Sequence, residues 1–187
     1  IDPYLEILYC IKEVVASDSP SISAYRIEKD QSLTLINSRE VHGALPCHIL
    51  WHKNNLYVAC YATGNVLAYP LDQDGSILAC SQNYQHQGGI ANSLRQEAPH
   101  AHQVCLHPNE KEFYVPDLGI DCLKAYQLDS GQFLPNPKLD VSLPAGGGPR
   151  HMVFTRTGDL AFVINELTAE ISVVKKSENG FKFEVFS

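Results

Sequence analysis

"PCHILWHKNNLYVACYATGNVLAYPLDQDGSIL" runs from residue 46 to 78, and its reading decides the fold. Runs rich in Val, Leu, Tyr and Cys alternate with the polar turns "HKNN", "ATGN" and "DQDG", and no 3.6-residue apolar period develops. Short strands with turn chemistry between them give this pattern; an amphipathic helix does not. The same order returns twice, as "HAHQVCLHPNEKEFYVPDLGIDCLKAYQLDSGQFL" from His100 and "PRHMVFTRTGDLAFVINELTAEISVVKKSENGFKF" from Pro149. A headless copy, "EILYCIKEVVASDSPSISAYRIEKDQSLTL", opens the chain at Glu6. Laid over one another, the copies put His48, His102 and His151 in register, at spacings of 54 and 49 residues. Four short strands per unit of about 40 to 50 residues are the mark of a β-propeller blade.

The expected fold is therefore all-β, built from blades of four antiparallel strands. The units fall at residues 1–42 (incomplete), 43–95, 96–145 and 146–187. Propellers close with about 4 to 8 blades, so this reading expects a partial propeller domain, about half of a larger ring. The start at Ile1 instead of Met adds the expectation that the natural N-terminus lies upstream.

Composition narrows the function. The 187 residues are 44% hydrophobic and carry a formal net charge of −7. That balance suits a globular domain and argues against nucleic acid or an anionic membrane surface as partner, since both need clustered Lys and Arg. No apolar run approaches the ~20 residues of a membrane span. Six cysteines show no C-x-x-C pair and read as small, reduced core residues, which points to the cytoplasm. Eight histidines occur without an H-E-x-x-H motif, so neither a metal nor another cofactor is expected.

In a blade the first strand is innermost, and its first residues lie at the mouth of the central channel. His48, His102, Arg150 and His151 occupy such positions. Antiparallel residues pair symmetrically about their turn. Arg150 and Glu166 centre on Gly158 in "TRTGD", His102 and Asp117 within "HPNEK", and His48 and Tyr61 within "KNN". Each pair is expected at the mouth. The partner position reads Tyr61, Asp117 and Glu166 in turn, with Glu13 in the opening remnant. Residues that repeat serve the scaffold, whereas unit-specific ones are better candidates for a ligand. The long polar loop "NYQHQGGIANSLRQEAPHAH" is expected to deliver Arg95, His100 and His102 to the same mouth.

The stretches "RQEAPHAHQVCLHP", "VPDLGIDCLKAYQL", "GPRHMVF", "INEL", "LPCHILWH" and "YATGNVLAYPLDQDGSI" resemble the lactonase family of seven-bladed propellers. That family includes 6-phosphogluconolactonases of the bacterial type and fungal 3-carboxy-cis,cis-muconate lactonizing enzymes. The resemblance implies a parent of about seven blades and an active-site His, Arg and Glu at His102, Arg150 and Glu166. Arg95, His100, His48, His151 and Asp117, placed at the mouth by the repeat, the hairpin pairing and the loop, are the substrate-binding candidates. "RQEAPHAH" and "DLGID" are more similar to the phosphogluconolactonase branch. The expectation is hydrolysis of a small anionic sugar-acid lactone. Cycloisomerisation of a muconate-like diacid is the runner-up, and a propeller that only binds is the third reading.

Overall fold

The computed structural model describes residues 1–2, 4–89, 94–177 and 183–186, the last four by backbone alone. Four antiparallel sheets follow one another along the chain. The first has three strands: β1 (Ile7–Lys12), β2 (Ser21–Ile27) and β3 (Leu33–Glu40). The second has four: β4 (Pro46–His52), β5 (Asn55–Cys60), β6 (Asn65–Pro70) and β7 (Gln82–Gln85). The third comprises β8 (Cys105–Leu106), β9 (Glu112–Asp117), β10 (Cys122–Asp129), β11 (Gln132–Pro135) and β12 (Val141–Ser142). The fourth comprises β13 (Pro149–Phe154), β14 (Leu160–Asn165), β15 (Glu170–Lys176) and β16 (Phe183–Phe186).

Local chemistry sets the connections. Lys53 and Asn54, at φ 44° and 57°, form the two-residue turn between His52 and Asn55. Two consecutive positive φ values match the right-handed twist of the flanking strands. The turns from second to third strand share one design of four residues: 61–64, 118–121 and 166–169. Each ends on a left-handed residue, Gly64, Asp121 or Ala169. At Gly64 the choice is forced, because a Cβ would sit 2.3 Å from the Pro99 carbonyl oxygen.

The third sheet departs from the four-strand expectation. Its outer strand is split, with β11 and β12 both pairing with β10. The one-turn 3-10 helix Pro137–Leu139 interrupts it. Proline has no N–H for the ladder and is tolerated because this is an edge.

Three apolar layers hold the sheets face to face. In β5 the side chains alternate: Leu56, Val58 and Cys60 pack toward the first sheet, and Tyr57 and Ala59 toward the third. Both faces are therefore buried, as period 2 requires for an interior sheet. Tyr114, Leu123 and Ala125 meet Met152, Ala161 and Val163 across the next layer. Phe113 lies at the centre of an aromatic cluster, 4.9 Å from Tyr126 and 5.4 Å from Tyr57. Emptying such a site costs about 3–5 kcal/mol. On the far side of β14, Phe162 and Ile164 are exposed.

The cysteines only partly follow expectation. All six are free thiols, but Cys60 alone is fully buried, and Cys10 is exposed.

Candidate functional site at the strand mouth

The ladder corrects the repeat alignment by one residue. In β4–β5, Pro46 pairs with Cys60 and His48 with Ala59, leaving Cys47 as an extra residue. In β13–β14, Pro149 pairs with Asn165 and His151 with Ile164, leaving Arg150 extra. In the third sheet Cys105 pairs with Tyr114 while Ala101 pairs with Asp117. The His102 N–H bonds the Pro116 carbonyl at 3.0 Å, which puts the extra residue at His102. His102 is therefore the counterpart of Cys47 and Arg150, not of His48 and His151. Gln103 takes the latter place. A bulge re-aims its side chain, and here three bulges bring Cys47, His102 and Arg150 to one rim. Arg150 and Glu166 are thus near neighbours across a bulge, not a direct cross-strand pair.

The position after the bulge joins the sheets. His48 Nδ1 accepts the Val104 N–H at 3.3 Å, and Gln103 Oε1 accepts the Met152 N–H at 2.6 Å. Sequence reasoning missed Gln103 because the one-residue slip hid its equivalence to His48.

The same correction moves Asp117. Tyr61, Leu118 and Glu166 each donate their N–H to the residue before the first strand, namely Leu45, His100 and Gly148. Leu118, not Asp117, therefore holds the rim position, and Asp117 matches Cys60 and Asn165. Asp117 is fully buried. Its Oδ1 accepts the N–H groups of His100 (2.7 Å) and Gly119 (3.0 Å). Its Oδ2 meets His86 Nδ1 at 2.5 Å, and His86 Nε2 meets the Tyr126 hydroxyl at 2.5 Å. Asp117 faces away from the mouth and clamps the end of the loop that carries His100. His86 and Tyr126 gave no signal beyond a lone His in "YQHQ". Asp121 does similar work: it accepts Gln96 Nε2 (2.8 Å) and the Gly146 and Gly148 N–H groups (2.7 and 2.9 Å). That fixes the glycine segment leading into Arg150.

At the rim, Glu166 Oε2 accepts Arg150 Nη1 at 2.8 Å, and Oε1 accepts Arg95 Nη2 at 2.6 Å. Arg95 also donates to the Tyr61 hydroxyl at 3.2 Å. The Tyr61 ring stacks on His100 at 4.5 Å, and His100 Nδ1 donates to the Tyr61 carbonyl at 2.9 Å. His102 touches Tyr61 and His151 edge-on, with ring centres at 5.6 and 5.1 Å. His48 lies 6.5 Å beyond His151. Arg95, His48, His100, His102, Arg150, His151 and Glu166 thus share one region. The loop residues 90–93 lie outside the described residues.

Charge follows from this packing. Burial, then Arg150, pushes the His102 imidazole down to about 4, and burial, then His151, does the same to His48. Burial lowers His151 as well. Burial would raise Glu166, but the hydrogen bond from Arg95 and the field of Arg150 outweigh it and hold the carboxyl below its usual range. At neutral pH the rim therefore presents the neutral imidazoles of His48, His102 and His151 beside a Glu flanked by two guanidiniums. Arg150 and Arg95 are 45% and 49% exposed, so their ion pairs contribute at most ~1 kcal/mol to stability. The arrangement is suited to gripping an anion. His102 Nδ1 is buried without a hydrogen-bond partner among the described residues.

Among the described residues no cluster of His, Cys, Asp or Glu is arranged to hold a metal ion, and no helix is long and apolar enough to cross a membrane. A cavity at the opposite end of the strands, lined by Trp51, Lys53, Asp72 and Glu110, measures about 620 Å³ and contains none of the rim residues.

Comparison with known proteins adds a relationship. The family model described as "Lactonase, 7-bladed beta-propeller" matches residues 1–187. A 6-phosphogluconolactonase of Bacillus subtilis (strain 168) is 32% identical over 180 residues, covering 95% of this chain and 50% of that protein. One from Formosa agariphila is 26% identical, covering 98% and 54%. The solved periplasmic gluconolactonase PpgL of Pseudomonas aeruginosa superposes with a TM-score of 0.90 at 24% identity, covering 100% of this chain and 55% of that one. The chain spans about half the length of the curated relatives it matches.

Proposed function

Because the chain belongs to the lactonase family of seven-bladed β-propellers, we propose that the protein hydrolyses a sugar-acid lactone, as its relatives named 6-phosphogluconolactonase do. The observation that carries the reading is the convergence of His102, Arg150, Glu166 and Arg95 on one rim.

Lactone hydrolysis needs a base for the attacking water, a donor for the carbonyl oxygen as it becomes anionic, and a proton for the departing ring oxygen. His102, neutral at pH 7, takes the proton from water. Its conjugate acid, with a pKa of about 4, then gives that proton readily to the leaving alkoxide. The Arg150 fork donates to the developing oxyanion. Glu166 orients both guanidiniums by holding one with each oxygen. Arg95, with His100 behind it, binds the anionic tail of the substrate. His48 and His151 complete the wall beside His102. No cofactor takes part in this scheme. Free thiols without a disulfide among the described residues suit a reducing compartment, and we assign the protein to the cytoplasm on that ground.

The test is lactone hydrolysis by the full-length protein carrying His102→Ala or Arg150→Ala, with folding checked by thermal melting. Loss of about 100-fold or more is expected for each, as for removal of a general base at His102 or of an oxyanion donor at Arg150. Activity within a few-fold of the unaltered protein removes these roles. The paired guanidiniums would also suit a muconate-like diacid; loss of the diene's ultraviolet absorbance on incubation would favour cycloisomerisation instead.

A further inference from the structure

Among the described residues, Glu13 is a charged rim position that the mechanism leaves unused. It follows β1 directly, as Tyr61 follows β5, Leu118 follows β9 and Glu166 follows β14. The pairing of Lys12 with Ser21 matches that of Cys60 with Asn65 and Asn165 with Glu170, so Glu13 is the first-sheet counterpart of Tyr61 and Glu166. The backbone ties it to the mouth. The Val14 carbonyl accepts the Leu45 N–H at 2.9 Å, two residues before the Cys47 bulge. The Cys47 thiol in turn donates to the His102 carbonyl at 3.3 Å. Glu13 is exposed.

We propose that Glu13 determines substrate specificity: standing across Cys47 and His102 from the Arg95–Arg150 pair, it accepts hydroxyl groups of the bound molecule and repels a second carboxylate. The field felt by the Cys47 thiol supports this arrangement. After burial, which is the main cause of its raised pKa, Glu13 pushes that thiol up and Arg150 pulls it down, so both charges reach the same spot. One end of the mouth is then cationic and the other anionic. A ligand with an anionic head and a hydroxylated chain satisfies both ends. A diacid satisfies one and meets like charge at the other. The inference rests on the lactonase reading and sharpens it: the substrate class is a polyhydroxylated lactone with its charge at one end.

The experiment is calorimetric titration of the full-length protein with gluconate, a single carboxylate on a hydroxylated chain, and, separately, with adipate, which carries a carboxylate at each end and no hydroxyl. In Glu13→Gln, gluconate is expected to bind roughly 5- to 20-fold more weakly, the loss of a charge-assisted hydrogen bond at an exposed site, while adipate binds more tightly. Glu13→Asp should recover part of the preference. A merely structural role would move both ligands in the same direction. Equal shifts for the two ligands, or none for either, overturn the proposal while leaving the lactonase reading standing. Failure of the unaltered protein to bind gluconate overturns both.

Discussion

Acid should unfold this protein through its buried imidazoles. His48 and His102 are held at about 4, against 6.5 for the free side chain, and burial is the main cause in each. Above pH 6.5 both are neutral in the folded and unfolded states and leave stability unaffected. As pH falls below 6.5 the unfolded chain takes up protons that the folded one refuses, so stability drops until about pH 4. One pKa unit is worth about 1.4 kcal/mol, so each histidine can remove about 3 kcal/mol across that window. At pH 5 the loss is about 2 kcal/mol apiece, and somewhat less for the pair because part of the lowering of His48 comes from His102. That is a large share of the ~5–15 kcal/mol by which domains are stable. The assay is urea unfolding of the full-length protein at pH 7.5, 6 and 5, beside a His48→Gln/His102→Gln variant. The variant should start less stable, having lost the His48 contact to Val104, yet lose less between pH 7.5 and 5. Parallel pH slopes for the two proteins would refute the reasoning.

Other outcomes follow from the site's scaffold. Asp117→Asn should destabilise by about 3–5 kcal/mol, because a fully buried acceptor of three donors is altered; a thermal melt checks it, and an unchanged midpoint contradicts the clamp. Gln103→Leu leaves the Met152 N–H without its partner and should cost about 1–3 kcal/mol, measured by urea unfolding. Glu166→Gln should change stability by less than about 1 kcal/mol, since its ion pairs are exposed, yet lower kcat/KM for lactone hydrolysis about 10-fold or more by releasing both guanidiniums. Gly64→Ala should lower the melting midpoint, because the new methyl group meets the Pro99 carbonyl in a backbone that disfavours L side chains.

Strand order was legible in the sequence because alternation and turn residues repeat in every unit. The exact register was not. A bulge adds one residue without disturbing the apolar pattern on either side, so the sequence register of the three histidines puts His102 with His48 when the ladder places it with Cys47 and Arg150. The same slip sent Asp117 to the rim, where Leu118 belongs. Arg150 and Glu166 were found by pairing about Gly158 because their separation is short enough for one extra residue to matter little. His86 and Gln96 were invisible for a different reason: their partners, Asp117 and Asp121, lie 31 and 25 residues away. The split outer strand of the third sheet was missed too, although "LPNPKL" carried the two prolines that break it.

The most direct measurement is a crystal structure of the full-length protein soaked with the open-chain acid of a sugar lactone. The account predicts density at the rim, with the acid's anionic group within hydrogen-bonding distance of Arg95 or Arg150 and its carbonyl carbon facing His102. Density confined to the cavity beside Trp51, with the rim empty, would contradict it.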